Sequence, residues 1–148
     1  MTEAPIVLIE DNPDDAELTR RAFAKNGFPN EVVVLDDGEK CLAVLLPDDG
    51  GPAPTPALIL LDINLPKVDG LQVLRRLRAD ERTRHLAIVM LTTSTEERDL
   101  VASYRLGANG FVRKPLSFVR FESVVATLGA YWLQINEPCP PARDRQRP

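Results

Sequence analysis

The sequence predicts an α/β domain built on a doubly wound, five-stranded parallel sheet in which each strand is followed by a helix. Five short aliphatic runs recur, at residues 6–9, 32–35, 58–61, 86–91 and 110–112. They lack the alternation of a half-exposed strand and suit strands buried on both faces. The segments between them carry helix start and stop signals. The first and third runs also end directly in carboxylates, at Glu10-Asp11 and Asp62. That edge is where open α/β sheets bind ligands.

Each element has its own signal. After the first strand, Asn12-Pro13-Asp14-Asp15 supplies an N-cap, a proline at the first helical position and acids in the first turn, and Gly27 stands as the terminating glycine. This predicts a helix over 13–26, with Asp14 and Asp15 complementing the helix dipole rather than holding a metal. Residues 47–56 hold glycine or proline at most positions and form an exposed loop before the third strand. Leu71, Leu74 and Leu77 mark the third helix. Ser94-x-x-Glu97 reads as a capping box for a fourth helix through Leu100, Val101 and Tyr104, stopped at Gly107. Ser117 caps the last helix, which carries Phe118, Phe121, Val124, Val125, Leu128 and Trp132 at spacings of three and four. Residues 134–148 hold four prolines and three arginines and read as a solvated tail.

Composition narrows the function classes. A chain of 148 residues with 44% hydrophobic content supports one domain and not two ordinary ones. A net charge of -4 gives no general attraction to nucleic acid or to an anionic membrane. Cys41 and Cys139 form neither a disulfide framework nor a zinc spacing, and both read as incidental. The N-terminus has no basic region and no apolar run approaches a membrane span, so the expected location is the cytoplasm. The single histidine, His85, sits among polar residues and reads as a solvated loop residue with no catalytic role.

Asp62 within L-L-D-I-N-L-P-K-V-D-G, the pair Glu10-Asp11, Thr92 after the fourth strand and Lys114-Pro115 after the fifth together resemble the receiver domain of two-component response regulators. The resemblance covers residues 4–130. It implies a flavodoxin-like fold with strand order 2-1-3-4-5, a receiver over 1–133 and a tail over 134–148. It also implies that Asp62 is the nucleophile taking a phosphoryl group from a kinase phosphohistidine, with Mg2+ as cofactor. In that pattern Asp11 and Asp62 bind the metal directly, Asn64 offers its backbone carbonyl, and Glu10 acts through a water. Glu10 stands where Asp is also common, and an outer role absorbs the extra methylene. Lys114 and the Thr92 hydroxyl contact the phosphoryl oxygens, with the backbone N–H groups of Asn64 and Thr93, and Pro115 implies a cis bond aiming Lys114 inward. Thr92 and Phe111 form the switch, although Phe111 reads equally as plain core. Asn64 and Ser94 flank the path of an attacking water. Catalysis is limited to the protein's own aspartyl phosphorylation and dephosphorylation.

A narrower resemblance joins the Pro-rich loop, the N-L-P-K-V-D-G-L turn and the ending G-A-Y-W-L-Q-I-N-E-P to the single-domain response regulators paired with bacterial phytochrome histidine kinases. It implies a light-sensing kinase as partner. Tyr131, Trp132, Leu133 and Ile135 extend apolar character past the core, predicting a homodimer through the fifth helix and the C-terminal segment. Trp132 covering the end of the core is the competing reading. Other function classes fit the sequence less well. A binding-only pseudo-receiver needs a broken acid pair or a missing Lys or Thr, and none is broken; a phosphate sink is a further alternative. A haloacid-dehalogenase-like phosphatase needs a second Asp two residues after Asp62, where Asn64 stands.

Overall fold

The computed structural model describes residues 3–114 and 117–140. Five strands, β1 (Ile6–Ile9), β2 (Val32–Leu35), β3 (Leu58–Leu61), β4 (Ile88–Thr92) and β5 (Gly110–Arg113), form one parallel sheet in the order β2-β1-β3-β4-β5. Helices α1 (Pro13–Lys25), α2 (Gly38–Leu45), α3 (Gly70–Ala79), α4 (Glu97–Arg105) and α5 (Phe118–Gly129) alternate with them. Among the described residues, no helix is long and apolar enough to cross a membrane.

Strand pleating explains the unbroken aliphatic runs. Successive side chains point to opposite faces, so a strand covered on both faces needs apolar residues at every position. Val7, Ile9, Ile59, Leu61, Ile88 and Met90 join the core beneath α2 and α3, with Cys41, Leu45, Val73, Leu74 and Leu77. Ile6, Leu8, Leu58, Leu60, Val89 and Leu91 point the other way, meeting Ala16, Ala22 and Phe23 of α1 and Phe121 and Val125 of α5.

The first helix begins as predicted. Asn12 Oδ1 accepts hydrogen bonds from the Asp14 and Asp15 N–H groups at 2.9 and 3.2 Å, and Gly27 takes φ +81° beyond the last turn. Ser117 Oγ caps α5 by accepting from the Arg120 N–H at 3.2 Å. The capping box at Ser94 does not form. Its hydroxyl donates to Asp99 Oδ2 at 2.6 Å, and α4 starts only at Glu97 with no side-chain cap. The fourth strand runs over 88–92 rather than 86–91, because the Leu86 N–H is taken by a turn bond to the Thr83 carbonyl.

The C-terminal side also departs from expectation. Phe118 is 57% exposed and lies outside the core, its ring 5.9 Å from the Lys25 ammonium. After α5 the chain continues as a wider helical turn, Ala130–Ile135. Trp132 and Leu133 pack partly on the core, while Tyr131 and Ile135 face outward. Residues 137–140 are exposed and Asn136 is half-buried. They line a cavity of about 600 Å3 with Thr55, Trp132 and His85, which is half-buried instead of solvated. Residues 141–148 of the expected tail lie outside the described residues.

Candidate functional site

The parallel register sets the site. Ile9 pairs with Leu61 and Thr92 with Arg113, so the next residue or two of each chain run out of the same sheet edge together. Glu10 and Asp11 leave β1, Asp62 leaves β3, Thr92 ends β4 and Lys114 leaves β5. The Asp62 N–H donates to the Ile9 carbonyl at 3.2 Å and the Lys114 N–H to the Thr92 carbonyl at 2.6 Å, which ties the departing strands together. The L-P-K-V-D-G turn then closes against the end of β3. The Gly70 N–H donates to the Ile63 carbonyl at 2.7 Å, and a Cβ at Gly70 would stand 2.0 Å from the Asp62 carbonyl oxygen. Lys67 within the turn adopts φ +68° and lies 3.6 Å from Asp37.

Three carboxylates converge. One oxygen from each of Glu10, Asp11 and Asp62 lies within 4.8 Å of the other two. Glu10 and Asp62 are buried and Asp11 is exposed. Octahedral donors held about 2.0–2.1 Å from Mg2+ stand about 3 Å apart in cis and about 4 Å in trans. Small inward movements would bring these oxygens to that spacing, and an all-oxygen donor set suits a hard cation.

Lys114 Nζ enters the same cluster, 2.5 Å from Glu10 Oε1 and 3.4 Å from Asp15 Oδ2. Burial pushes the Glu10 carboxyl above its ordinary range, and Lys114 offsets this only in part. Burial works against the Lys114 charge too, but the Glu10 hydrogen bond and the charges of Glu10, Asp62 and Asp15 outweigh it and raise the ammonium.

The remaining predicted residues are near this centre with different engagements. Thr92 is fully buried, and its Oγ1 accepts from the Ser94 N–H at 3.2 Å. Asn64 is exposed, and its N–H donates to Asp62 Oδ1 at 3.4 Å. Thr93 is exposed. Phe111 is half-buried against the core under α2 and α3, with the Arg113 guanidinium 5.7 Å from its ring centroid. The expected cis bond at Pro115 lies outside the described residues. Cys41 is fully buried and its thiol is pushed up to about 12 by burial, which leaves it unreactive.

Two participants escaped the sequence reading. Asp15 reaches Lys114, and Asp99 engages Ser94. The first had no helical-spacing signal, since Asp11 precedes the Asn12 cap and lies outside α1. The second depended on where α4 begins.

The family model of the response regulator receiver domain matches residues 6–126. The chain is 41% identical over 137 residues to "Probable methanogenesis regulatory protein FilR2" of Methanothrix harundinacea, covering 93% of this chain and 88% of that protein. The phosphorylated cyanobacterial phytochrome response regulator RcpA superposes with a TM-score of 0.83 at 33% identity, over 93% of this chain and 99% of the other. The bacteriophytochrome response regulator AtBRR is 46% identical over 91% of this chain and 99% of its own, with a TM-score of 0.68. Resembling the response regulators that work with phytochromes, this chain belongs to the response regulator receiver domain family.

Proposed function

We propose that Asp62 accepts a phosphoryl group from a phosphohistidine of a sensor histidine kinase, and that the kinase is a bacterial phytochrome. The convergence of Glu10, Asp11 and Asp62 within 4.8 Å, beside a buried lysine, carries the first part of this reading. Likeness to RcpA and AtBRR supports the second. An Asp62 carboxylate oxygen attacks phosphorus, the P–N bond breaks, the electron pair leaves with the imidazole nitrogen, and an acyl phosphate forms. Such transfer depends on positioning and on stabilising the equatorial oxygens. Asp11, Asp62 and the Asn64 carbonyl would hold Mg2+, with Glu10 acting through a water, and the bound ion would supply much of that stabilisation. The Asn64 and Thr93 N–H groups and the Thr92 hydroxyl donate to the phosphoryl oxygens, and Lys114 supplies a compact positive charge. Thr92 and Phe111 then carry the change to the protein-binding surface, since only differential affinity for the two arrangements shifts their populations. We read residues 1–133 as the receiver and 134–148 as an appended segment.

Acetyl phosphate with Mg2+ is expected to add one phosphoryl mass to the intact wild-type protein and none to Asp62→Asn, and a phosphorylated bacteriophytochrome kinase is expected to transfer faster than an unrelated kinase. Absence of any gain in wild type would sink the phosphoacceptor reading. Equal transfer from both kinases would remove the light-sensing partner alone.

The outward-facing Tyr131 and Ile135, 47% and 67% exposed, support a homodimer through α5 and the segment after it. Light scattering is expected to give twice the chain mass for wild type and the monomer mass for Tyr131→Glu/Ile135→Glu. A wild-type monomer both with and without phosphorylation rules the dimer out.

A further inference from the structure

We infer that Asp15 is a positioning residue that holds Lys114 back from Asp62 until a phosphoryl group arrives. The inference rests on the proposed phosphoryl transfer to Asp62 and concerns what regulates its rate.

An ammonium has three donors and no acceptor. Two of those on Lys114 point to the β1–α1 side, toward Glu10 Oε1 and Asp15 Oδ2. Asp62 acts on Lys114 through charge, without a hydrogen bond among the described residues. The ammonium is therefore anchored by acids other than the one that reacts. A phosphoryl group on Asp62 must draw Lys114 against both anchors.

The anchors differ in what release costs. The Glu10 side chain is 4% exposed and the Asp15 side chain 39%. A freed Glu10 carboxylate stays buried, whereas a freed Asp15 carboxylate turns to water. Asp15 is also set in place by its own helix. Its N–H is capped by Asn12 Oδ1 at 3.2 Å and its carbonyl accepts from Thr19 Oγ1 at 2.8 Å. A fixed backbone with a half-solvated carboxylate is a tether that holds weakly and lets go cheaply. Because its contact exists before transfer and is given up during it, removing it lowers the barrier.

The test measures the rate of mass gain from acetyl phosphate at saturating Mg2+ in wild type, Asp15→Asn, Asp15→Glu and Asp14→Asn. Asp14 carries the same charge in the same helical turn and, among the described residues, makes no hydrogen bond or ion pair with Lys114, so it controls for simple repulsion of the anionic donor. Partly solvated ion pairs are weak, so Asp15→Asn is expected to react about 2- to 5-fold faster. Its Mg2+ half-saturation is expected to stay near that of wild type. Asp15→Glu is expected to return to the wild-type rate and Asp14→Asn to keep it. An unchanged or slower Asp15→Asn, an acceleration matched by Asp14→Asn, or one explained by altered Mg2+ affinity overturns the tether. A wild type that takes no phosphoryl group removes the phosphoacceptor reading and the tether together. A wild type that phosphorylates while Asp15→Asn gains no speed removes the tether alone.

Discussion

Asp11→Asn is expected to melt higher than wild type in EDTA and to lose the further rise that Mg2+ gives wild type. Carboxylate oxygens of Glu10, Asp11 and Asp62 lie within 4.8 Å of one another, and among the described residues the Lys114 ammonium pairs with Glu10 and Asp15 and not with Asp11. Two like charges about 4 Å apart repel by about 4 kcal/mol at an effective dielectric near 20. The exposure of Asp11 screens most of this, leaving a relief of about 1 kcal/mol, or about 3–5 °C in a domain of this size. A ligand present at 100 times its dissociation constant stabilises the folded state by about 2.7 kcal/mol. Wild type should accordingly gain on the order of 10 °C in saturating Mg2+. Differential scanning calorimetry of both proteins, with EDTA and with Mg2+, reads both terms. A destabilised Asp11→Asn in EDTA would mean the carboxylate has a structural partner. An undiminished Mg2+ response would place the ion elsewhere.

The same cluster indicates which features a sequence exposes. Asp62 and Glu10-Asp11 were readable because each follows a run of aliphatic residues, and a parallel sheet delivers consecutive strand ends to one edge. Thr92 and Lys114 were singled out by the resemblance to receiver domains, and their strand ends place them at the same edge. The contacts that depend on how a helix begins were not readable. Ser94-x-x-Glu97 has the composition of a capping box, but the Asp99 carboxylate competes for the Ser94 hydroxyl and α4 starts beyond it. Asp15 fits a helix N-terminus so well that its dipole role concealed its reach to Lys114. Leu86 is as apolar as a strand residue, yet a turn bond to Thr83 keeps it out of the ladder. Asp15 meets a tertiary partner 99 residues away, whereas Ser94 and Leu86 are taken by near neighbours in sequence, Asp99 and Thr83, that compete with the expected pattern.

Lys114→Met is expected to damage the protein twice, and a second substitution should repair only one of the losses. The Lys114 and Glu10 side chains are 8% and 4% exposed and meet at 2.5 Å. Removing one partner of a buried pair costs about 3–5 kcal/mol, chiefly because the other charge is left without compensation. Glu10 is already raised by burial, and with Lys114 gone its carboxyl moves further up. The native state then holds a proton that the unfolded chain releases at its ordinary value of 4.5. The unfolded state therefore binds fewer protons across that window, and stability falls as pH rises through it. Lys114→Met should be closest to wild type in acid and fall away toward neutral pH. Glu10→Gln/Lys114→Met should flatten that dependence and recover most of the stability, because a neutral amide needs no counter-ion. Phosphorylation should not return. A missing charge at the phosphoryl oxygens costs about 100-fold or more in rate, and the amide at position 10 does not replace it. Urea titration across pH and intact-mass kinetics on the two variants separate these roles. A double variant as unstable as the single would show that the pair is not the source of the loss. A single variant that phosphorylates at the wild-type rate would take Lys114 out of the transfer step and leave it as a structural counter-ion to Glu10.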